Sequence, residues 1–223
     1  SKYAKEYKNH NIIQQIVAKS LVRELKFQPK RVLELGCGSG QVYNHISWDL
    51  EFYKAIDFSS SMCELHPKGE NIEVKCFDFD TQEFLDEIKD NSYDIVLSSS
   101  ALQWSKDLSK IIKHLSFITK EINAVLFTSN TFKTIQKITN TKSPILDELS
   151  IKEAFSKYFT CEFETIMYKL EFDNKKDLFD YIKKSGVSGE ASLDFKDAKK
   201  LYKEYNLNYL EFEVIFVKTI SKL

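Results

Sequence analysis

The feature that most constrains this chain is a cluster of glycines at the end of an apolar run. Three of its six glycines, Gly36, Gly38 and Gly40, directly follow Arg31 to Leu35, RVLEL. A short apolar run stopped by glycine reads as a buried strand that ends in a tight turn. Glycine lets the backbone adopt positive φ and lets it approach a ligand with no Cβ in the way. A helix expected over about 40–49 would point its first N–H groups and its dipole at the same spot. The segment 32–42, VLELGCGSGQV, therefore predicts a strand, a tight turn and a helix built around a bound, partly anionic cofactor.

The unit repeats along the chain. Strands are expected at 52–57, 72–76, 93–98 and 122–128, alternating with helices at 60–66 (closed by Pro67), 81–89 and 107–117. Asp80 with Glu83 reads as a capping box for the helix at 81–89, and Ser150 with Glu153 for one beyond Pro144. Upstream, Ile12, Ile13, Ile16, Val17, Leu21, Val22 and Leu25 recur at helical spacing over 11–26, up to Pro29. Two final strands, 161–172 and 209–218, flank a helical insert that includes 175–185 and stops at Gly186. The expected fold is α/β: a doubly wound, mostly parallel, seven-stranded sheet with an antiparallel last strand and a small helical insert. One domain is expected over 1–223, comprising a helical cap (1–28), a cofactor-binding core (30–130), substrate-side helices and insert (131–208), and the closing strand (209–218).

Composition narrows the classes further. Hydrophobic residues make up 43% and charged residues 29%, a soluble globular balance, and no apolar run is long enough to span a bilayer. The opening SKYAKEYKNH lacks the apolar core of a secretory signal, so a cytoplasmic protein is expected. Cys37, Cys63, Cys76 and Cys161 are scattered, with no C-x-x-C pair, which predicts reduced thiols and no metal site. A net charge of −1 argues against a general nucleic-acid binder. Arg23 and Arg31 are the only arginines, so no guanidinium fork is available beyond residue 31 to grip a carboxylate or phosphate.

The loop's spacing separates the nucleotide motifs. The dinucleotide fingerprint G-x-G-x-x-G would need glycine where Gln41 stands, and the terminal lysine of a P-loop is missing. Acids instead stand at successive strand ends. Asp57 closes the second strand about twenty residues past the loop, where a carboxylate can accept both ribose hydroxyl hydrogens, and Asp78 follows the third. Singly, either aspartate could cap the next helix. Together with Glu34 they point to a cofactor across the carboxyl edge of the sheet.

The spacing E-x-G-x-G-x-G, Glu34 to Gly40, resembles motif one of class I methyltransferases, which use S-adenosylmethionine; no metal is expected in this chain. That resemblance implies a Rossmann-like class I methyltransferase fold. It also implies that Glu34 helps hold the methionine amino group and that Asp78, beside Phe79, takes the adenine amino group. Gly36, Cys37, Gly38, Gly40, Asp57, Phe58, Met62, Ser98 and Tyr7 complete the implied cofactor set. After the fourth strand, SSSALQWSKDL (98–108) is similar to the S-N-x-A-L-Q-W segment of the malonyl-acyl-carrier-protein O-methyltransferases of early biotin synthesis. A similar segment occurs in trans-aconitate methyltransferases, and both families methylate a free carboxylate. Tyr7, His10, Gln14, Val17, Ala18 and Leu21 match the leading helix of the biotin-pathway enzymes, and 177–189 with YLEFEVIFVK look similar to their C-terminal half. Two positions depart from that pattern: Ser99 replaces an asparagine, and Thr119 to Asn123 replaces a proline-glycine-glycine turn.

A carboxylate acceptor is already deprotonated at neutral pH, so no catalytic base is needed. Alignment of oxygen, methyl carbon and sulfur in a dry site is the expected source of rate, worth up to about 7 to 11 kcal/mol in favourable cases. Tyr7, over the cofactor, and Gln103 with Trp104 are the expected acceptor-side residues; ordinary packing is the alternative role for each. Seven lysines lie between 106 and 142 against Asp107 and Glu121. Such a face, with Lys110 and Lys113 as its docking candidates, would suit an acidic acyl carrier protein, although solvated helix faces account for the same lysines. Three readings follow: a malonyl-carrier-protein methyltransferase, a small-molecule carboxylate methyltransferase of the trans-aconitate type, and a binding module that keeps the cofactor fold without catalysis.

Overall fold

Within Arg31–Leu35 (β1), Val32 on one face and Leu33 and Leu35 on the other are all fully buried, which suits a strand covered on both sides. In the computed structural model, which describes residues 11–184 and 195–220, β1 lies inside a sheet and pairs in parallel with Phe52–Asp57 (β2) and Ile95–Ser99 (β4). Ile72–Cys76 (β3) adds beyond β2 and Ile122–Phe127 (β5) beyond β4, both parallel. Cys161–Glu171 (β6) and Tyr209–Thr219 (β7) complete seven strands in the order β3-β2-β1-β4-β5-β7-β6. β7 is antiparallel to both of its neighbours, so β6 keeps the direction of β1 to β5 and the last strand alone runs against the rest.

Alternating side chains divide the core into two layers. Val32, Tyr53, Ala55, Ile95, Leu97, Val125 and Phe127 face Ile12–Arg23 (α1), whose Ile13, Val17, Ala18 and Leu21 form the matching stripe. Leu33, Leu35, Ile56, Val96, Ala124 and Leu126 face Gln82–Ile88 (α3), Leu108–Ile118 (α4) and Glu148–Ser156 (α6). The strand order reverses at β1, between β2 and β4, and that reversal opens a crevice at the carboxyl ends of the strands. Lys133–Thr139 follows β5 as α5, and Lys175–Lys184 (α7) and Phe195–Glu204 (α8) form the insert between β6 and β7. Gly186, expected to stop α7, lies outside the described residues.

Three local expectations are corrected. The helix expected over 40–49 is replaced by turns and a single 3-10 turn, Tyr43–His45. Valine, tyrosine, asparagine, histidine and isoleucine are all indifferent helix formers, and the apolar ones are drawn into the core: Val42 is buried, Tyr43, Ile46 and Trp48 pack against it, and Trp48 Nε1 donates to Pro29 O at 2.9 Å. The cap of α3 is Thr81, whose Oγ1 accepts from Phe84 N at 3.3 Å, while Asp80 is drawn away to accept from Lys106 N. The cap of α6 is Asp147, which accepts from Ser150 N at 2.7 Å, so that helix starts ahead of Ser150. Smaller shifts leave β4 running to Ser99 and starting after Tyr93, whose N–H goes to Ile118 O. Among the described residues no helix is long and apolar enough to cross a membrane.

Candidate active site

The glycine loop follows β1 into the crevice. Gly36, Gly38 and Gly40 all have positive φ, at 73°, 51° and 87°. The three glycines do different work. A Cβ on Gly36 would sit 2.0 Å from Ala101 Cβ, so that glycine lets the loop after β4 close against the loop after β1; one on Gly40 would sit 2.5 Å from Pro67 Cδ. Only at Gly38 would a Cβ meet nothing. Space is therefore open beside Gly38, whereas the missing Cβ of Gly36 and of Gly40 makes room for protein.

The loop's N–H groups are largely spent inside the fold. Gly36 N and Cys37 N both donate to Ile56 O, Gly40 N to Cys37 O, and Gly38 N to Asp57 Oδ2 at 2.8 Å. With only one 3-10 turn behind it, the loop also lacks the helix dipole expected of it. A phosphate cradle needs free N–H groups, and this loop does not supply one at those four positions. What it presents is acidic: Asp57 at the end of β2, Asp78 after β3, and Glu34 beneath.

Asp57 is buried and its second oxygen accepts from Ser59 N at 2.9 Å. Burial pushes its carboxyl above the ordinary value, and the N–H groups of Ser59 and Gly38 pull it back. Each oxygen keeps a lone pair for a further donor. Asp78 is exposed and bends the chain by accepting from Asp80 N at 2.9 Å. Glu34 is 1% exposed and accepts from Tyr53 Oη at 2.5 Å. Tyr43, Tyr53 and His66 pack as an aromatic cluster beside it. His66 Nδ1 donates to Pro67 O at 2.9 Å, and its Nε2 stands 3.9 Å from Glu34 Oε2, beyond hydrogen-bond range.

Burial raises the Glu34 carboxyl above its ordinary value, and the nearby Tyr53 hydroxyl and His66 offset this in part. The charged form is then the disfavoured one in the fold. Its cost is present at neutral pH and shrinks as pH falls through the folded value toward the unfolded one. Glu34→Gln is therefore expected to raise the ligand-free Tm at pH 8 by about 2 to 4 °C, on the order of 1 kcal/mol, and by less at pH 5. Thermal melts at the two pH values check this; an equal gain at both would mean that the carboxylate charge is not the cause.

These groups line one cavity of about 670 Å³. It contains Glu34, Gly36, Cys37, Gly38, Asp57, Phe58, Met62, Asp78 and Phe79 of the expected cofactor set, and both Gln103 and Trp104 of the acceptor set. Gly40 and Ser98 are not in its wall. Ser98 is fully buried with its hydroxyl spent on Leu35 O at 2.9 Å, and the following Ser99, Ser100 and Ala101 take the place expected of it. Tyr7 and His10 lie outside the described residues. Lys110 lines a smaller cleft of about 240 Å³ that shares Phe79, Asp80 and Lys106 with the main cavity, and Lys113 lines neither.

Gln14, Asp80, Lys106, Phe127 and Ile145 also line the cavity without having been expected as site residues. Gln14 carried a visible signal, a polar side chain inside the buried stripe Ile13, Val17, Ala18, Leu21. Ser100 has φ 61°, a left-handed backbone that a serine holds only where surroundings enforce it, and β5 does so by accepting its N–H at Val125 O, 2.8 Å. No guanidinium reaches the cavity: Arg31 Nε donates to Ser92 O at 3.1 Å at the opposite end of β1. Among the described residues no cluster of three or more His, Cys, Asp or Glu could hold a metal ion.

Comparison with known proteins agrees with the fold. Residues 33–125, which run from β1 through β5 and contain the loop, the acids and the ALQW segment, match the model of a family described as a methyltransferase domain. The YcgJ protein from Bacillus subtilis superposes with a TM-score of 0.63 at 11% identity, covering 93% of this chain and 99% of that one. A geranyl diphosphate methyltransferase solved in complex with SAM superposes at 0.57 and 10% identity, covering 92% and 84%. The segment 33–125 thus matches a methyltransferase domain, and these two solved structures share the fold of the chain. The chain is also similar to the malonyl-[acyl-carrier protein] O-methyltransferase of Bacillus cereus, 27% identical over 160 residues. That alignment covers 69% of this chain and 59% of the relative, so the chain spans about three fifths of the relative's length.

Proposed function

We propose that the chain transfers a methyl group from S-adenosylmethionine to the free carboxylate of a malonyl group carried on acyl carrier protein, an early step of biotin synthesis. The observation that carries this reading is a single cavity lined by the strand-end acids Asp57 and Asp78 and also by Gln103 and Trp104 of the ALQW segment. The name shared by the Bacillus cereus relative supports the acceptor.

The residues fit the cofactor. Asp57 accepts the ribose hydroxyl hydrogens, Phe58 and Phe79 flank the adenine, and Asp78 takes its amino group. Spent loop N–H groups and three carboxylates suit a ligand that brings hydrogen-bond donors and a positive charge, as the methionine ammonium does. When bound, S-adenosylmethionine supplies a methyl carbon activated by its sulfonium. The chain's own task is positional: to hold a carboxylate oxygen in line behind that carbon and to keep water out. The Ser99 and Ser100 hydroxyls are the donors nearest to hand for the carboxylate, since no arginine is. All seven lysines from 106 to 142 are exposed, which supports a basic approach for an acidic carrier.

Mass spectrometry of malonyl-carrier protein incubated with the chain and S-adenosylmethionine tests the assignment. Addition of one methyl group is expected, with none to acetyl-carrier protein. Equal turnover of a free dicarboxylate would favour the trans-aconitate type of reaction instead, and binding of the cofactor with no methyl transfer to any carboxylate would favour a non-catalytic module.

A further inference from the structure

Four residues that line the main cavity each carry a buried polar atom with no hydrogen-bond partner among the described residues: Gln14 Oε1, Ser99 Oγ, Ser100 Oγ and Gln103 Oε1. A buried polar atom left unpaired is costly, and four around one cavity point to a ligand that brings the partners. Gln103 is the best defined of them. It is 3% exposed, and its Nε2 donates to Ser100 O at 2.8 Å, which fixes which end of the amide is the oxygen. That oxygen can only accept, so its missing partner is an N–H or O–H donor.

The charges around it sharpen the requirement. The only cationic side chain in the described wall is Lys106, whose backbone is tied to Asp80 on the β3 side, whereas Ser99 ends β4 and Ser100 and Gln103 follow it, on the other side of β1. A free polycarboxylate at neutral pH brings oxygens alone and would set its charge against the amide oxygens of Gln14 and Gln103. An acyl thioester on a pantetheine arm brings carboxylate and carbonyl oxygens, which two serine hydroxyls can serve. A few bonds further along the arm it also brings secondary amide N–H groups. Resting on the carboxylate-methylation reading above, we infer that Gln103 is a specificity-determining residue. Its Oε1 accepts a hydrogen bond from an amide N–H of a pantetheine-type arm, so that the chain selects thioester-borne acceptors over free acids.

The test is a binding measurement on the full chain saturated with S-adenosylhomocysteine. The probes are malonyl-pantetheine and an analogue whose amide nitrogen nearest the thioester is replaced by an ester oxygen. Calorimetry is expected to show the amide probe binding about 10- to 100-fold tighter than the ester, as for a buried acceptor left unpaired. Gln103→Leu is expected to bring the two probes within about threefold of each other and to leave S-adenosylhomocysteine affinity within about threefold of wild type, which also reports that the variant is folded. Absence of binding of either probe, equal binding of the two by wild type, or discrimination that survives in Gln103→Leu overturns the inference. Loss of S-adenosylhomocysteine affinity in the variant overturns it too, by giving the amide oxygen to the cofactor. Binding and turnover separate the two proposals: amide discrimination without methyl transfer to malonyl-carrier protein would remove the assigned reaction and keep the arm site, whereas transfer without discrimination would do the reverse.

Discussion

Replacing Asp57 by alanine is expected to weaken S-adenosylmethionine binding by about 100-fold or more, measured by calorimetry. The size follows from what the carboxylate does. It accepts Gly38 N at 2.8 Å and Ser59 N at 2.9 Å, fixing the glycine loop and the start of Ser60–Leu65 (α2) at once, and in the proposed binding mode its remaining lone pairs serve the ribose. Hydrogen bonds to a charged group contribute roughly 1.5 to 3 kcal/mol each, so losing two ribose contacts alone accounts for the estimate. Asp57→Asn separates the two roles. Its single carboxamide oxygen can keep one loop N–H but cannot also serve both ribose hydroxyls, so an intermediate loss is expected. Burial raises the Asp57 carboxyl, so protonation on acidification should weaken cofactor binding in wild type and leave the alanine variant flat over the same range. Wild-type affinity in Asp57→Ala would place the ribose elsewhere.

How far such a site can be read in advance depends on whether its cause is local. The strand β1, the glycine turn, and the acids Asp57 and Asp78 were legible because each rests on a pattern within a few residues: an apolar run, a glycine at its end, an acid after the next run. The fate of the loop's N–H groups was not. They are spent on Ile56 O and Asp57, partners that become neighbours only when β2 lies alongside β1. The expected helix at 40–49 failed for a related reason, since Val42, Tyr43, Ile46 and Trp48 show apolar spacing but answer to the core cluster and to Pro29 rather than to a helical ladder. Asp80 looked like a cap until Lys106 N, 26 residues on, claimed its carboxylate. A single step in register decided between Ser98 and Ser99: strand alternation turns the first hydroxyl to Leu35 O and leaves the second in the cavity wall. Gln14 shows that the reverse also happens, with a locally visible anomaly, a polar residue in a buried stripe, marking a residue of the cavity wall.

The same distinction between local and distant causes predicts how the glycines respond to substitution. Gly36→Ala is expected to lower Tm by roughly 6 to 12 °C, on the order of 3 kcal/mol. About 1 to 2 kcal/mol comes from holding a Cβ at positive φ, and about 1 to 3 from an overlap that would place it 2.0 Å from Ala101 Cβ. Gly38→Ala has a comparable φ penalty and no overlap, so it should cost less stability. Its Cβ projects from a residue in the cavity wall, however, and it should cost more in cofactor affinity than its stability change would suggest. The double variant Gly36→Ala, Ala101→Gly removes the overlap and leaves the backbone strain. It is expected to recover roughly half the Gly36→Ala loss, a coupling of about 1 to 2 kcal/mol between residues 65 positions apart in sequence. Thermal melts of the two single variants and the double complete the cycle. Additive losses would mean that the loops after β1 and β4 do not meet as described, and the cavity they jointly wall would then have to be drawn differently.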